Sequence, residues 1–130
     1  MRLRFQLTSV AVLLAAGCDS PSGVACPGVV NRAVDVDVVD ARTGAWAAAG
    51  ATGEVQDGAF VEALQPVGWR GTPPDDTTTT LGAALGRAGT YTVRVTKPGY
   101  APFERAGVRA RAGRCGVETA RLTARLTPAP

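Results

Sequence analysis

Two stretches of strict alternation constrain this chain more than anything else in it. Val34, Val36 and Val38 are interleaved with Asp35 and Asp37, and Tyr91, Val93 and Val95 with Thr92, Arg94 and Thr96. A period of two in β-branched and aromatic residues belongs to a strand with one buried and one wet face, because successive side chains of a strand point to opposite sides. The valines and Tyr91 therefore read as core, and Asp35 and Asp37 as solvent-facing. Further strands are expected at 52–56 and 59–64, joined by the Asp57-Gly58 hairpin signal. Others are expected at 81–85, 102–111 and 115–126. Val117 and Leu122 have opposite parity, which predicts a bulge between them. Residues 65–80 hold Pro66, Gly68, Trp69, Gly71, Pro73, Pro74 and five threonines, and read as a loop or insertion. No helix is expected in residues 18–130. The fold class is all-β, a single antiparallel β-sandwich of about seven strands, with a small partly open barrel as the other candidate.

The N-terminus has a different character. Arg2 and Arg4 precede an apolar run, residues 5–16, that is too short for a bilayer span of about 20 residues and has the flanks of a secretory signal. It ends in Leu14-Ala15-Ala16-Gly17-Cys18, which resembles the bacterial lipobox. That resemblance implies cleavage after Gly17 and lipidation of Cys18 by a diacylglyceryl group and an acyl chain such as palmitate. Residues 1–17 are then a signal peptide, 18–28 a tether rich in Ser, Pro and Gly, and 29–127 the folded domain. The other reading is an ordinary signal cut near the same place, with Cys18 left as a thiol. Two or three acyl chains would hold the protein on a membrane, since a single chain binds only marginally.

The chain has three cysteines and no histidine. If Cys18 is consumed by a thioether, Cys26 and Cys115 form an even pair that an oxidising compartment would join; the other reading is two free thiols. Without histidine, Ser-His-Asp and Cys-His catalysis and His-ligated zinc are excluded. The formal charge of +3 falls to +1 once Arg2 and Arg4 leave with the signal, with twelve basic against eleven acidic side chains remaining. That is weak ground for a nucleic-acid partner, and none is expected. The local excess at Arg105, Arg109, Arg111 and Arg114 reads as a solvated face.

The body resembles the carboxypeptidase regulatory-like domain, a transthyretin-like (prealbumin-like) β-sandwich. The resemblance is carried by Val38-Val39-Asp40-Ala41-Arg42-Thr43-Gly44 with Gly50-Ala51, by Gly89-Thr90-Tyr91-Thr92-Val93 with Lys97-Pro98-Gly99-Tyr100, and by Arg121-Leu122-Thr123-Ala124-Arg125-Leu126. It covers residues 30–127 and departs from the family at 65–80. It implies a transthyretin-like or immunoglobulin-like sandwich serving as a non-catalytic accessory module, with no catalytic residues to carry over. Independently, Asp40 and Gly44 suit a tight turn, and Tyr91 suits a buried ring whose hydroxyl seeks a backbone acceptor, as in a tyrosine corner.

Candidate sites are few. Asp35, Asp37 and Asp40 are oxygen ligands of the type calcium takes, against a plain reading as a charged wet face and a turn. Asp75 and Asp76 form a second oxygen-rich spot with no ligand spacing. Trp69, between Gly68 and Arg70, is either an exposed stacking platform for sugar or peptide or a lid folded onto the sandwich. Trp46 reads as core or as an edge plug. No cofactor and no metal are expected, nor is an enzyme. The expected function is a membrane-anchored envelope module that binds a protein or glycan. It would sit in the bacterial cell envelope, on the outer membrane facing the periplasm or on the cell surface. The alternative is a carbohydrate- or peptide-binding accessory domain using the Trp69 loop.

Overall fold

A computed structural model describes residues 25–130, an all-β arrangement with ten strands and no helix among them. β1 (Arg32–Asp40) lies inside a four-stranded sheet of order β10-β1-β5-β4, completed by β10 (Ala120–Leu126), β5 (Thr77–Leu85) and β4 (Gln65–Arg70). A second sheet has the order β3-β2-β6-β7, with β2 (Thr52–Asp57), β3 (Phe60–Ala63), β6 (Gly89–Thr96) and β7 (Phe103–Ala110). The two sheets pack face to face in a sandwich-like arrangement. A small hairpin of β8 (Ala112–Gly113) and β9 (Gly116–Val117) lies at one end.

The core follows the alternation read from the sequence. Val34, Val36, Val38, Tyr91, Val93 and Val95 are fully buried, joined by Val55, Leu81, Ala124 and Leu126. Each fully buried aliphatic side chain contributes about 1.5–3 kcal/mol relative to exposure. Tyr91 sits edge-on to Phe60 and donates its hydroxyl to the Arg87 carbonyl, as a tyrosine corner requires. Arg87 in turn donates to Asp57 at 2.8 Å and stacks 4.0 Å above the Phe60 ring. The Asp57-Gly58 hairpin forms as read, with Asp57 opposite Phe60 and Gly58 at φ 59°.

Several expectations are corrected. The sheets are not wholly antiparallel: β1 and β10 pair in parallel, from Val34 opposite Ala120 to Asp40 opposite Leu126. The strand count is ten rather than seven: residues 65–70 form β4, residues 112–113 form β8, and 115–126 divides into β9 and β10, while 77–80 lengthens β5. Pro66 and Gly68 are tolerated there because β4 is an edge strand with register shifts around Gly68, the position where proline costs no ladder bond. The expected single strand over 115–126 is two, β9 and β10, separated by Glu118 and Thr119 instead of a bulge.

Asp35 is also not solvent-facing. It is 5% exposed, bonded at 2.9 Å to Arg32 Nε and 3.4 Å from Arg121 Nη2. Its partner across the ladder is Gly82, where an added Cβ would come within 2.7 Å of both Asp35 Oδ1 and Arg32 Nε. Glycine thus leaves the volume that the ion pair fills.

The two sheets are tied together along both long sides. On one, Ala101 N donates to Thr127 O and Ala129 N to Gly99 O, at 2.8 and 2.9 Å, stitching the segment before β7 to the segment after β10. On the other, the chain passes from β3 to β4 through buried Leu64, whose amide donates to Gly53 O at 2.9 Å. Gly53 permits this corner, since a Cβ there would stand 2.1 Å from the Arg94 carbonyl and 2.8 Å from Leu64 Cδ1.

Cys26 and Cys115 are joined across a sequence separation of 89. A loop of that size stabilises by about 4–5 kcal/mol in the chain-entropy model. Replacing both cysteines by serine should therefore lower the unfolding free energy by about that amount, read as a shifted urea midpoint with an intact native spectrum. A midpoint unchanged by the replacement would show that the bridge holds only a frayed end.

Candidate functional site

Cys18, the expected lipidation residue, lies outside the described residues. Cys26 and Cys115 are brought together at the β8–β9 hairpin, with Cys26 Sγ 3.7 Å from the Arg114 carbonyl oxygen.

Trp69 does not fold back as a lid. It is 56% exposed and sits opposite Thr78 on β4, next to exposed Arg70. Its position is an edge strand and not the expected loop, so its platform is carried by a hydrogen-bonded ladder. Trp46 is not core. It is 38% exposed and forms an isolated bridge with Val39, where the 45–47 segment takes up β1 after β5 has left it. Ala47 N donates to Val38 O and Asp40 N to Ala45 O, so Trp46 fills the edge-plug reading.

The aspartates separate by role. Asp35 is held by two arginines, and Asp37 accepts the Thr80 hydroxyl at 2.6 Å. Asp40 organises the turn that follows β1. Its Oδ1 accepts from the amides of Arg42 and Thr43 at 2.7 and 3.0 Å, its carbonyl accepts from Gly44 N, and Gly44 takes φ 71°. Its Oδ2 accepts the Tyr100 hydroxyl at 2.8 Å. Tyr100 closes the Lys97-Pro98-Gly99 turn through its amide to Lys97 O, with Gly99 at φ 85°. Two turns remote in sequence are thereby locked together by one carboxylate. The Tyr100 hydroxyl, then the Thr43 and Arg42 amides, hold the Asp40 carboxyl below its ordinary value, and the same bond raises the Tyr100 hydroxyl. Asp75 and Asp76 fall in the turn between β4 and β5. Among the described residues no group of three or more His, Cys, Asp or Glu side chains could hold a metal ion.

Two features lay beyond sequence reasoning. A groove of about 310 Å³ is lined by Arg32, Glu62, Gln65, Val67, Gly82 and Leu85. Beneath it Ala84 takes φ 62°, and its amide donates to the Glu62 carboxylate of the opposite sheet. An alanine rarely adopts that conformation, and no local sequence signal marks it. The second feature is the end of the sandwich that carries the disulfide. There Arg109, Arg111 and Arg114 are exposed, as are Val29 (65%), Val30 (62%) and Leu85 (63%). No family model matches the chain. A search of curated proteins likewise finds no match.

The Asp40–Tyr100 lock has a signed pH dependence. A carboxyl whose folded value is lowered contributes stability above its unfolded value, near 3.8, and loses it as pH falls through the folded value. A phenol whose folded value is raised contributes below its unfolded value, near 10.0, and loses it as pH rises through the folded one. Asp40→Asn should therefore lower the thermal midpoint at neutral pH, and the gap to the native chain should close on acidification. A gap that persists in acid would assign the loss to packing instead.

Proposed function

We propose that this protein is a lipid-anchored, non-catalytic module of the bacterial cell envelope. A β-sandwich is held at the membrane through acylated Cys18 and offers its exposed surfaces to an envelope protein or glycan. The observation that carries this reading is the partition of the three cysteines. Cys26 and Cys115 are bonded to each other, which fits an oxidising compartment outside the cytosol. The remaining cysteine, Cys18, stands directly after the signal-like run and the small residues that lipidation needs. The Asp40–Gly44 turn, the Tyr91 corner and the Lys97–Tyr100 turn support a transthyretin-like, carboxypeptidase regulatory-like sandwich. The outer membrane, facing the periplasm or the cell surface, is the proposed location.

Intact mass measurement of protein extracted from membranes in detergent tests this reading. The expected mass is that of residues 18–130 plus acyl chains, rising by two hydrogen atoms on reduction. An unacylated mass with a reactive Cys18 thiol would overturn the anchor.

A second reading is favoured by one observation, the exposure of Trp69 on an edge strand beside Arg70. Aromatic faces in that setting stack on sugar rings or peptide side chains. If glycan is the ligand, its addition should change the tryptophan emission of the native protein and leave that of Trp69→Ala unchanged, with Trp46 as the remaining emitter. An equal response in both proteins, or none in either, would overturn Trp69 as the glycan platform.

A further inference from the structure

We propose that the disulfide-bearing end of the domain lies against the membrane that carries the anchor. Arg109, Arg111 and Arg114 would meet anionic phospholipid headgroups, and Val29, Val30 and Leu85 would enter the interfacial layer. This inference rests on the lipid anchor at Cys18 proposed above.

The first support is where the apolar surface collects. Six large hydrophobic side chains are exposed among the described residues: Val29, Val30, Trp46, Val61, Trp69 and Leu85. Three of them belong to one end. Leu85 pairs with Arg32, the first residue of β1, and Gly86 N donates to Asn31 O at 2.8 Å. An added Cβ at Gly86 would meet Val30 Cγ1 at 3.1 Å. Val29 and Val30 thus stand beside Leu85, a few residues from bonded Cys26.

Charge is the second support. Arg114 adjoins Cys115, while Arg109 and Arg111 border an open depression with Ala88, Gly89 and Thr90. The acids at this end are Asp57, which Arg87 binds, Glu62, which accepts from the Ala84 amide, and Glu118, beside Gly113. Apart from Arg32, which is paired with Asp35, four arginines, Arg87 included, therefore face three carboxylates. At the other end Asp40, Asp75 and Asp76 are matched by Arg42, Arg70 and Lys97. Arg109, Arg111 and Arg114 form no ion pair among the described residues, and basic side chains at a membrane surface are attracted by anionic lipid within about a Debye length.

Reach is the third. Cys26 follows Cys18 by eight positions, a contour of at most about 28 Å. The disulfide fixes the exit point of that segment beside Arg114, so residues 27–31 cannot peel away to lengthen it. An anchor this short, leaving from this end, presents the arginines and the valines to the bilayer.

The test uses the acylated protein in vesicles containing lipid brominated near the headgroup, with Trp46 and Trp69 as distant reporters and Leu85→Trp as a local one. In phosphatidylglycerol vesicles the emission added by Leu85→Trp should be quenched, and that of Trp46 and Trp69 largely spared. The quenching should be lost in high salt, in phosphatidylcholine alone, and when Arg109, Arg111 and Arg114 are all changed to serine. Unquenched emission from Leu85→Trp in a sample whose mass shows acyl chains would overturn the contact while leaving the anchor intact. Quenching of the native tryptophans instead would put the opposite end on the bilayer and overturn it too. A sample without acyl chains would overturn the anchor and, with it, this inference.

Discussion

β1 is hydrogen-bonded along both edges, in parallel to β10 and antiparallel to β5, and the rest of the sandwich is built on it. Its inner face supplies Val34, Val36 and Val38, all fully buried, to the layer on which β2 and β6 pack. Its outer face must then be made compatible with an interior strand, and Asp35 shows how. A carboxylate so little exposed is costly unless paired. Arg32 comes from the same strand, Arg121 from β10 and the open space from Gly82 on β5. Three neighbouring strands therefore share one charge arrangement, and the register of each is tied to the others.

Elements specified by local pattern were legible. The alternation around Val36 and Val93, the Asp57-Gly58 hairpin and the Tyr91 corner depend on residues close in sequence, so their period and turn chemistry survive reading in one dimension. Features set by remote partners were not. The parallel match of β10 to β1 leaves no local trace. Asp35 read as wet because the glycine and arginine that cover it, Gly82 and Arg121, lie 47 and 86 positions away. Residues 65–80 read as a loop because Pro66 and Gly68 are breakers in a central strand yet acceptable on an edge. The signal that could have corrected this was the run Thr77–Thr80, four β-branched residues in succession.

The candidate surfaces divide in the same way. Trp69 was recognisable as a residue with unusual neighbours, though its exposure is a consequence of β4 having no strand beyond it in the described sheet. Arg109, Arg111 and Arg114 looked like ordinary solvated charges, because their meaning depends on which other side chains share their end. That end is assembled from five separate stretches of chain: the residues before β1, the β2–β3 turn, the turn after β5, the end of β7 and the β8–β9 hairpin. No window along the sequence contains them together.

The clasp between β1 and β10 also bears on how the chain behaves before it is folded. Val34 and its partner Ala120 are separated by most of the domain, and contacts so distant form slowly because a long loop must close first. During that delay the valine-rich strand has no neighbour on the β10 side, and bare apolar strands of this kind pair readily with other chains. Asp35 and Asp37 punctuate the run at the spacing that interrupts such pairing, since a charge every second residue repels an identical strand laid alongside. The two carboxylates that finish in ion-paired and hydrogen-bonded positions would thus serve earlier as guards against self-association.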